Sequence, residues 1–316
     1  MFASIGSATH AVNKVGCMHI VSSLFRRAPA QFVFALLGLF CFAPKCFAQE
    51  PPYFVTYSSD LEEPGNLEVA FKGAVATPQY GNQFRSGTLE LEYGAKAWWT
   101  TELYLSGQNT AHDTTVFSGW RFENRFRPLF REHAINPVLY VEYENLSIAD
   151  RSLLEITGHD SKSDLLLANW QGRLETERSI ETKLILSSSF HSWNISENFI
   201  AEKEISAEPW EFGYALGVSR PLAFAASAHG CMWCRERFAA GAEIYGGLGD
   251  SNGFGFKATS QYLGPTIAYD IPHGPTISFS PNFGLNANSI GVLYRFKVSY
   301  ELQQIFHRRS GDKRGQ

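Results

Sequence analysis

Ile290-Gly291-Val292-Leu293-Tyr294-Arg295-Phe296-Lys297-Val298-Ser299-Tyr300-Glu301-Leu302 alternates from end to end. Ile290, Val292, Tyr294, Phe296, Val298, Tyr300 and Leu302 share one face, and Gly291, Leu293, Arg295, Lys297, Ser299 and Glu301 share the other. Side chains on a strand point to opposite faces in turn, so this segment divides an apolar environment from a polar one. In a soluble protein the apolar face meets a core. In a barrel that crosses a membrane it meets lipid, and the polar face looks into the lumen.

The same period recurs throughout the chain. Strands are expected over 67–75, 89–93, 98–107, 115–127, 137–145, 174–190, 194–205, 210–219, 238–248, 260–271, 275–284 and 290–302. Turn signals such as Pro64-Gly65-Asn66 and Asp250-Ser251-Asn252-Gly253 separate them. Nothing longer than a turn reads as helix, so no βαβ unit supports a parallel sheet. Ser147 to Gly172 is the ambiguous stretch, because Leu153 to Gly158 has strand character. Counted as a strand, it makes thirteen. Taken with its surroundings as one excursion, it leaves twelve, the even number that a bacterial outer-membrane barrel needs. The expected fold is all-β, a transmembrane antiparallel up-and-down barrel of about twelve strands spanning residues 65–302.

The chain has 316 residues, and its first 48 read as an address. Arg26 and Arg27 precede the apolar run from Phe32 to Ala43, and Cys46-Phe47-Ala48 offers a small-residue cleavage site. That order describes a secretory signal, with Met1 and Met18 both available as starts. Removing residues 1–48 takes Lys+Arg from 27 to 23 against 31 Asp+Glu, a net charge of −8. No basic field for nucleic acid remains. Residues 49–64 are expected as a polar lead-in on the periplasmic side, and 303–316 as a basic, disordered tail.

Three features favour lipid over a soluble core. Aromatics crowd the apolar faces, with Trp98, Trp120, Trp193, Trp210 and Tyr300 expected in girdles at the two bilayer interfaces. Charges occupy the opposite faces in mid-strand. Glu90, Glu92, Arg121, Glu123, Arg125, Arg127, Glu142, Glu144, Arg295 and Lys297 would be costly in a dry core but suit a wet lumen. No mature segment is long and apolar enough for a helical span. The competing reading is a soluble antiparallel barrel or sandwich with the same alternation.

With these residues in view, the chain resembles porin-like outer-membrane β-barrel proteins of Gram-negative bacteria. The resemblance rests on Glu63-Pro64-Gly65-Asn66-Leu67-Glu68, Glu90-Leu91-Glu92-Tyr93-Gly94-Ala95-Lys96, Arg121-Phe122-Glu123-Asn124-Arg125-Phe126-Arg127-Pro128, Pro209-Trp210-Glu211-Phe212-Gly213-Tyr214 and the closing strand. It implies the bacterial outer membrane and the barrel architecture, and brings no activity or substrate with it. The closing strand is similar to the signal by which barrel assembly machinery recognises its clients. Outer-membrane lipids and that machinery are thus the implied partners, with small solutes as cargo.

The chemistry-bearing residues divide into three groups. The Arg121, Glu123, Arg125, Arg127 row lies beside the Tyr140, Glu142, Glu144 row if their strands form a hairpin, with Arg121 expected opposite Glu142. It serves either as a charged constriction selecting solutes by sign or as an ion-pair ladder filling the lumen. Cys231-Met232-Trp233-Cys234 has the spacing of a redox or metal half-site, but a second ligand pair and a helix context are missing, so a local disulfide is expected. His191-Ser192, with Asn194 and Glu197, raises a lipid hydrolase, yet adjacent turn residues point apart and no Gly-x-Ser-x-Gly elbow exists. The expectation is a non-enzymatic passive pore with no cofactor or metal. The alternatives are a surface barrel with a closed lumen or, less favoured, a lipid hydrolase.

Overall fold

The computed structural model describes residues 50–79, 81–152, 157–158, 167–206, 208–223 and 231–305. The signal sequence, most of the basic tail and residues 153–156 and 159–166 of the ambiguous stretch lie outside the described residues.

Twelve strands close into one barrel. They are β1 (Leu67–Ala76), β2 (Phe84–Lys96), β3 (Trp99–Thr110), β4 (Thr115–Phe126), β5 (Asn136–Ser147), β6 (Thr176–Phe190), β7 (Trp193–Glu204), β8 (Trp210–Pro221), β9 (Phe238–Asp250), β10 (Gln261–Asp270), β11 (Thr276–Gly284) and β12 (Val292–Leu302). Each pairs antiparallel with its sequence neighbours, and β12 closes on β1 through Leu67↔Leu302 to Ala76↔Leu293. Closure leaves no unpaired edge, as a bilayer demands. An even count puts both ends of the barrel on one rim, called the lower rim below. β5 ends at Ser147 on the upper rim, and the described residues that lead back to β6 include the short helix α1 (Asn169–Gly172).

Burial is inverted relative to a soluble protein. Outward positions such as Phe71, Leu139, Phe199, Phe279 and Tyr294 are exposed, while Glu90, Glu102, Glu123, Glu142 and Glu243 are among the most buried large side chains. An apolar exterior this continuous has no counterpart on a soluble monomer. The outer surface is also packed. Phe296 covers Gly73, where an added Cβ would sit 2.1 Å from its ring, and Phe71 and Phe296 lie 5.9 Å apart. The closing strand begins at Val292 rather than Ile290. Ile290 is buried, with its N–H donating to the Tyr262 hydroxyl at 2.9 Å.

The lower rim carries the tight connections. His191 and Ser192 form the two-residue turn between β6 and β7, both with positive φ (49° and 64°), as a hairpin of this length requires. The long link from β8 to β9 holds Cys231 and Cys234, joined as a disulfide with Cα atoms 5.3 Å apart.

One segment departs from its sequence expectation. Polar, Pro-bearing composition predicts a lead-in outside the barrel for residues 49–64. From Glu50 onward the chain instead runs inside it. Pro52, Val55, Thr56, Ser58 and Glu62 are buried. Val55 packs with Ala74, Phe84, Ala215, Tyr245 and Leu293, and Tyr57 and Leu61 pack on Val138, Tyr140 and Ile185. The reason is the aromatic run Tyr53-Phe54-Val55-Thr56-Tyr57, which buries apolar surface against the inward apolar residues of the wall.

Candidate pore lumen

The inward residues of the strands meet in rows across the ladder. Glu301↔Glu68, Glu68↔Glu92, Glu92↔Glu102, Glu102↔Glu123, Glu123↔Glu142, Glu142↔Glu181, Glu181↔Glu202, Glu202↔Glu211 and Glu211↔Asp250 are direct cross-strand partners. Ten carboxylates on successive strands thus form one continuous row. Because strands tilt in a barrel, the row climbs from the lower rim at Glu301 to the upper rim at Asp250.

Like charges directly opposite one another repel. The neighbouring rows relieve this with cations. Arg121 donates to both oxygens of Glu142 at 2.8 and 3.0 Å. Arg125 bridges Glu92 at 2.5 Å, Glu123 at 3.1 Å and Glu102. Lys183 pairs with Glu181 at 2.8 Å, Lys297 with Glu68 at 2.7 Å and Lys72 with Glu90. Tyr104 donates to Glu102 and, at 2.8 Å, to Glu123, and its ring faces the Arg121 guanidinium 4.2 Å away.

Two carboxylate trios, Glu68–Glu90–Glu92 and Glu142–Glu144–Glu181, bring ligand atoms within 4.8 Å of one another. In each trio, Lys or Arg side chains already supply positive charge.

The sequence-chosen lumen residues fall as follows. Glu90, Arg121, Glu123, Arg125, Glu142, Glu144 and Arg295 are buried inward residues. Glu92 and Lys297 sit inward as salt-bridge partners. Arg127 lies just past β4 and donates to the Ser59 carbonyl at 2.5 Å. The hairpin register differs from expectation by two residues. Arg121 sits opposite Glu144 and reaches diagonally to Glu142. A two-residue shift leaves every side chain on its own face, so alternation alone does not reveal it.

The expected girdle residues are all exposed outside the barrel. Trp98, Trp193 and Tyr300 lie near the lower rim and Trp210 at the upper rim. Trp120 differs, being the sixth residue of β4 and packed on Tyr143 at 5.5 Å in mid-belt. Sequence reading missed Trp99 and Phe126, stacked with Trp98 at 6.2 and 6.4 Å, and Tyr269, stacked between Trp233 and Phe238. Their strand-end position was the available signal. His191, Ser192, Asn194 and Glu197 do not converge. His191 packs edge-on against Phe190 at 4.0 Å, Asn194 faces inward to Tyr53, and Glu197 faces outward.

The N-terminal segment is bonded to this wall along its length. Glu62 N–H donates to Thr100 Oγ1 at 3.1 Å, and Arg125 Nη1 to the Asp60 carbonyl at 3.2 Å. Asn198 pairs with both backbone groups of Tyr57, at 2.6 and 2.9 Å, and the Tyr57 hydroxyl donates to Glu123 at 3.0 Å. The successive N–H groups of Phe54, Val55 and Thr56 converge on the buried Glu243 carboxylate at 2.8, 2.9 and 2.7 Å, an anion nest filled by the wall. The Tyr53 hydroxyl then donates to Asn194 Oδ1 at 3.0 Å, back toward the lower rim. The segment rises to mid-lumen and descends.

Above it lies a cavity of about 710 Å³, floored by Phe54, Val55 and Tyr57. Ten carboxylates and four cations line it. Described residues of the upper-rim excursion, Ile148, Asp150, Ser152, Thr157 and Leu167, border this cavity. Thr157 donates to Glu202 at 2.8 Å, Arg151 to Thr110 at 2.9 Å and Gly158 N–H to the Phe212 carbonyl at 3.1 Å.

No protein-family model and no curated protein sequence matches the chain. Solved structures do. The COG4313 outer membrane channel from Pseudomonas putida F1 is 11% identical with a TM-score of 0.48, covering 80% of this chain and 99% of that one. A KdgM porin in complex with disordered oligogalacturonate is 5% identical at 0.45, covering 75% and 98%. A NanC porin is 8% identical at 0.44, covering 74% and 97%.

Proposed function

We propose that this chain is an outer-membrane pore protein, with an acidic upper vestibule that favours small cationic solutes. The inverted burial carries the membrane part of this reading, with Phe71 and Phe279 outside and Glu123 and Glu142 within. The lower rim, with its two-residue turns, is assigned to the periplasm, and the rim bearing the 148–175 excursion to the exterior. The vestibule carries the selectivity. Ten carboxylates against four cations leave a negative field in a low-dielectric funnel, which concentrates cations and repels anions.

Reversal potential in planar bilayers under a KCl gradient tests this. Cation preference is expected, moving toward zero when Glu144, Glu202 and Glu204 are changed to Gln. Anion preference would overturn the selectivity. A second reading, a structural barrel with a closed lumen, draws on the occupied lower half of the barrel. A correctly inserted protein that stays silent with the N-terminal segment removed would favour it.

A further inference from the structure

We propose that residues 50–63 are a displaceable plug, gating the pore from inside by seating on Glu243 and Asn198. This rests on the pore reading above and adds a closed state to it. The segment enters at the lower rim, where it passes so close to Gly94 that a Cβ there would lie 2.1 Å from the Glu63 carbonyl. It is linked covalently to the barrel only through β1. Its anchors are hydrogen bonds spread along its length and not ladder pairing: the Glu243 nest, the Asn198 pair and the Tyr53–Asn194 bond, with Glu123, Arg125, Arg127 and Thr100 holding Tyr57, Asp60, Ser59 and Glu62. The wall is shaped for it. At Gly217 an added Cβ would sit 2.7 Å from the Tyr53 ring and 3.1 Å from Thr56 Cγ2, so a larger side chain at this inward position must push those two side chains of the segment aside. By contrast, strand-to-strand pairing is complete around the barrel without it. The wall therefore persists when the segment leaves, and the space it vacates joins the vestibule to the lower rim.

The test compares single-channel currents of the mature full-length chain, a chain lacking 50–61, and Gly217→Leu, in which the segment remains but its seat is filled. The full-length protein is expected to give low or intermittent current. Both variants are expected to give steady current at least fivefold larger. A synthetic peptide of residues 50–63, added to the lower-rim side of the deletion variant, is expected to reduce the current toward the full-length level, while a scrambled peptide is not. Gly217→Leu keeps the test open if the deletion fails to insert. Equal conductance of full-length protein and variants, or no block by the peptide, would overturn the plug and leave the pore reading standing. Silence of all forms after confirmed insertion would overturn both.

Discussion

Glu243→Gln isolates the strongest anchor of the internal segment while keeping the side chain's shape. The Glu243 carboxylate, 1% exposed, accepts three backbone N–H bonds, two on one oxygen and one on the other. The amide keeps one oxygen for two donors and turns an NH₂ toward the third, so one bond is lost and the remaining two lose their charge assistance. Three hydrogen bonds to a charged group at about 1.5–3 kcal/mol each give way to two neutral ones at about 1 each, which puts the loss at about 2.5–7 kcal/mol. At 1.4 kcal/mol per tenfold, seating weakens by about 60-fold at the low end and about 100,000-fold at the high end. Hydrogen exchange read by mass spectrometry reports this directly, because the amides of Phe54, Val55 and Thr56 are protected only while seated. Peptides covering 50–61 should exchange faster by that factor, while peptides from β4 and β5 keep their wild-type rates. Unchanged exchange at 54–56, within about threefold, would mean that the nest does not hold the segment, and the gating argument would fail with it.

Three further outcomes follow from other contacts. Burial, aided by the charges of Glu301 and Glu68, raises the Glu62 carboxyl from 4.5 to about 7, against weaker lowering by hydrogen bonds from the Glu63 backbone and Asn66. The seated state therefore holds a proton that the released state gives up. Seating is strongest below about pH 4.5 and is lost as pH rises through 7, so current should grow from pH 5 to 8 and Glu62→Gln should flatten the rise; a fall over that range would contradict it. Arg125→Met strips the positive partner from Glu92, Glu102 and Glu123. It should cost about 3–5 kcal/mol, seen as a lower temperature for the heat-modifiable gel shift; an unchanged temperature would show those carboxylates to be compensated elsewhere. Phe71→Arg places a charge on the outer face beside Leu89 and Val298. In lipid it should cost about 2–4 kcal/mol at the bilayer midplane, whereas an effect below about 0.5 kcal/mol would indicate an outer face that meets water.

Alternation made the barrel legible because it is local: each strand reports its two faces within ten residues. Phe71 and Glu90 could be assigned outward and inward without knowing their neighbours. What alternation leaves open is everything that depends on register. The row from Glu301 to Asp250 exists only because eight turns and the barrel closure hold their lengths, and moving any strand by two residues would break it while preserving every inward side chain. The hairpin of β4 and β5 shows the size of the problem, since a turn centred near Arg131 predicts Arg121 opposite Glu142 and the structure pairs Arg121 with Glu144. Tyr53 to Tyr57 was hidden for a different reason. Their partners Asn194, Asn198 and Glu243 lie about 140 to 190 residues away and resemble any other inward polar residues. The visible clue was chemical: three aromatics and a valine in five residues, directly after a cleavage site, are too apolar to stay in water. A wet lumen lined with glutamate takes in such a run only where the wall supplies apolar patches as well, and Ala74, Val138, Ile185 and Ala215 are the apolar inward residues that do so. The inward apolar positions and the aromatic leader are therefore two halves of one feature, and each explains the other.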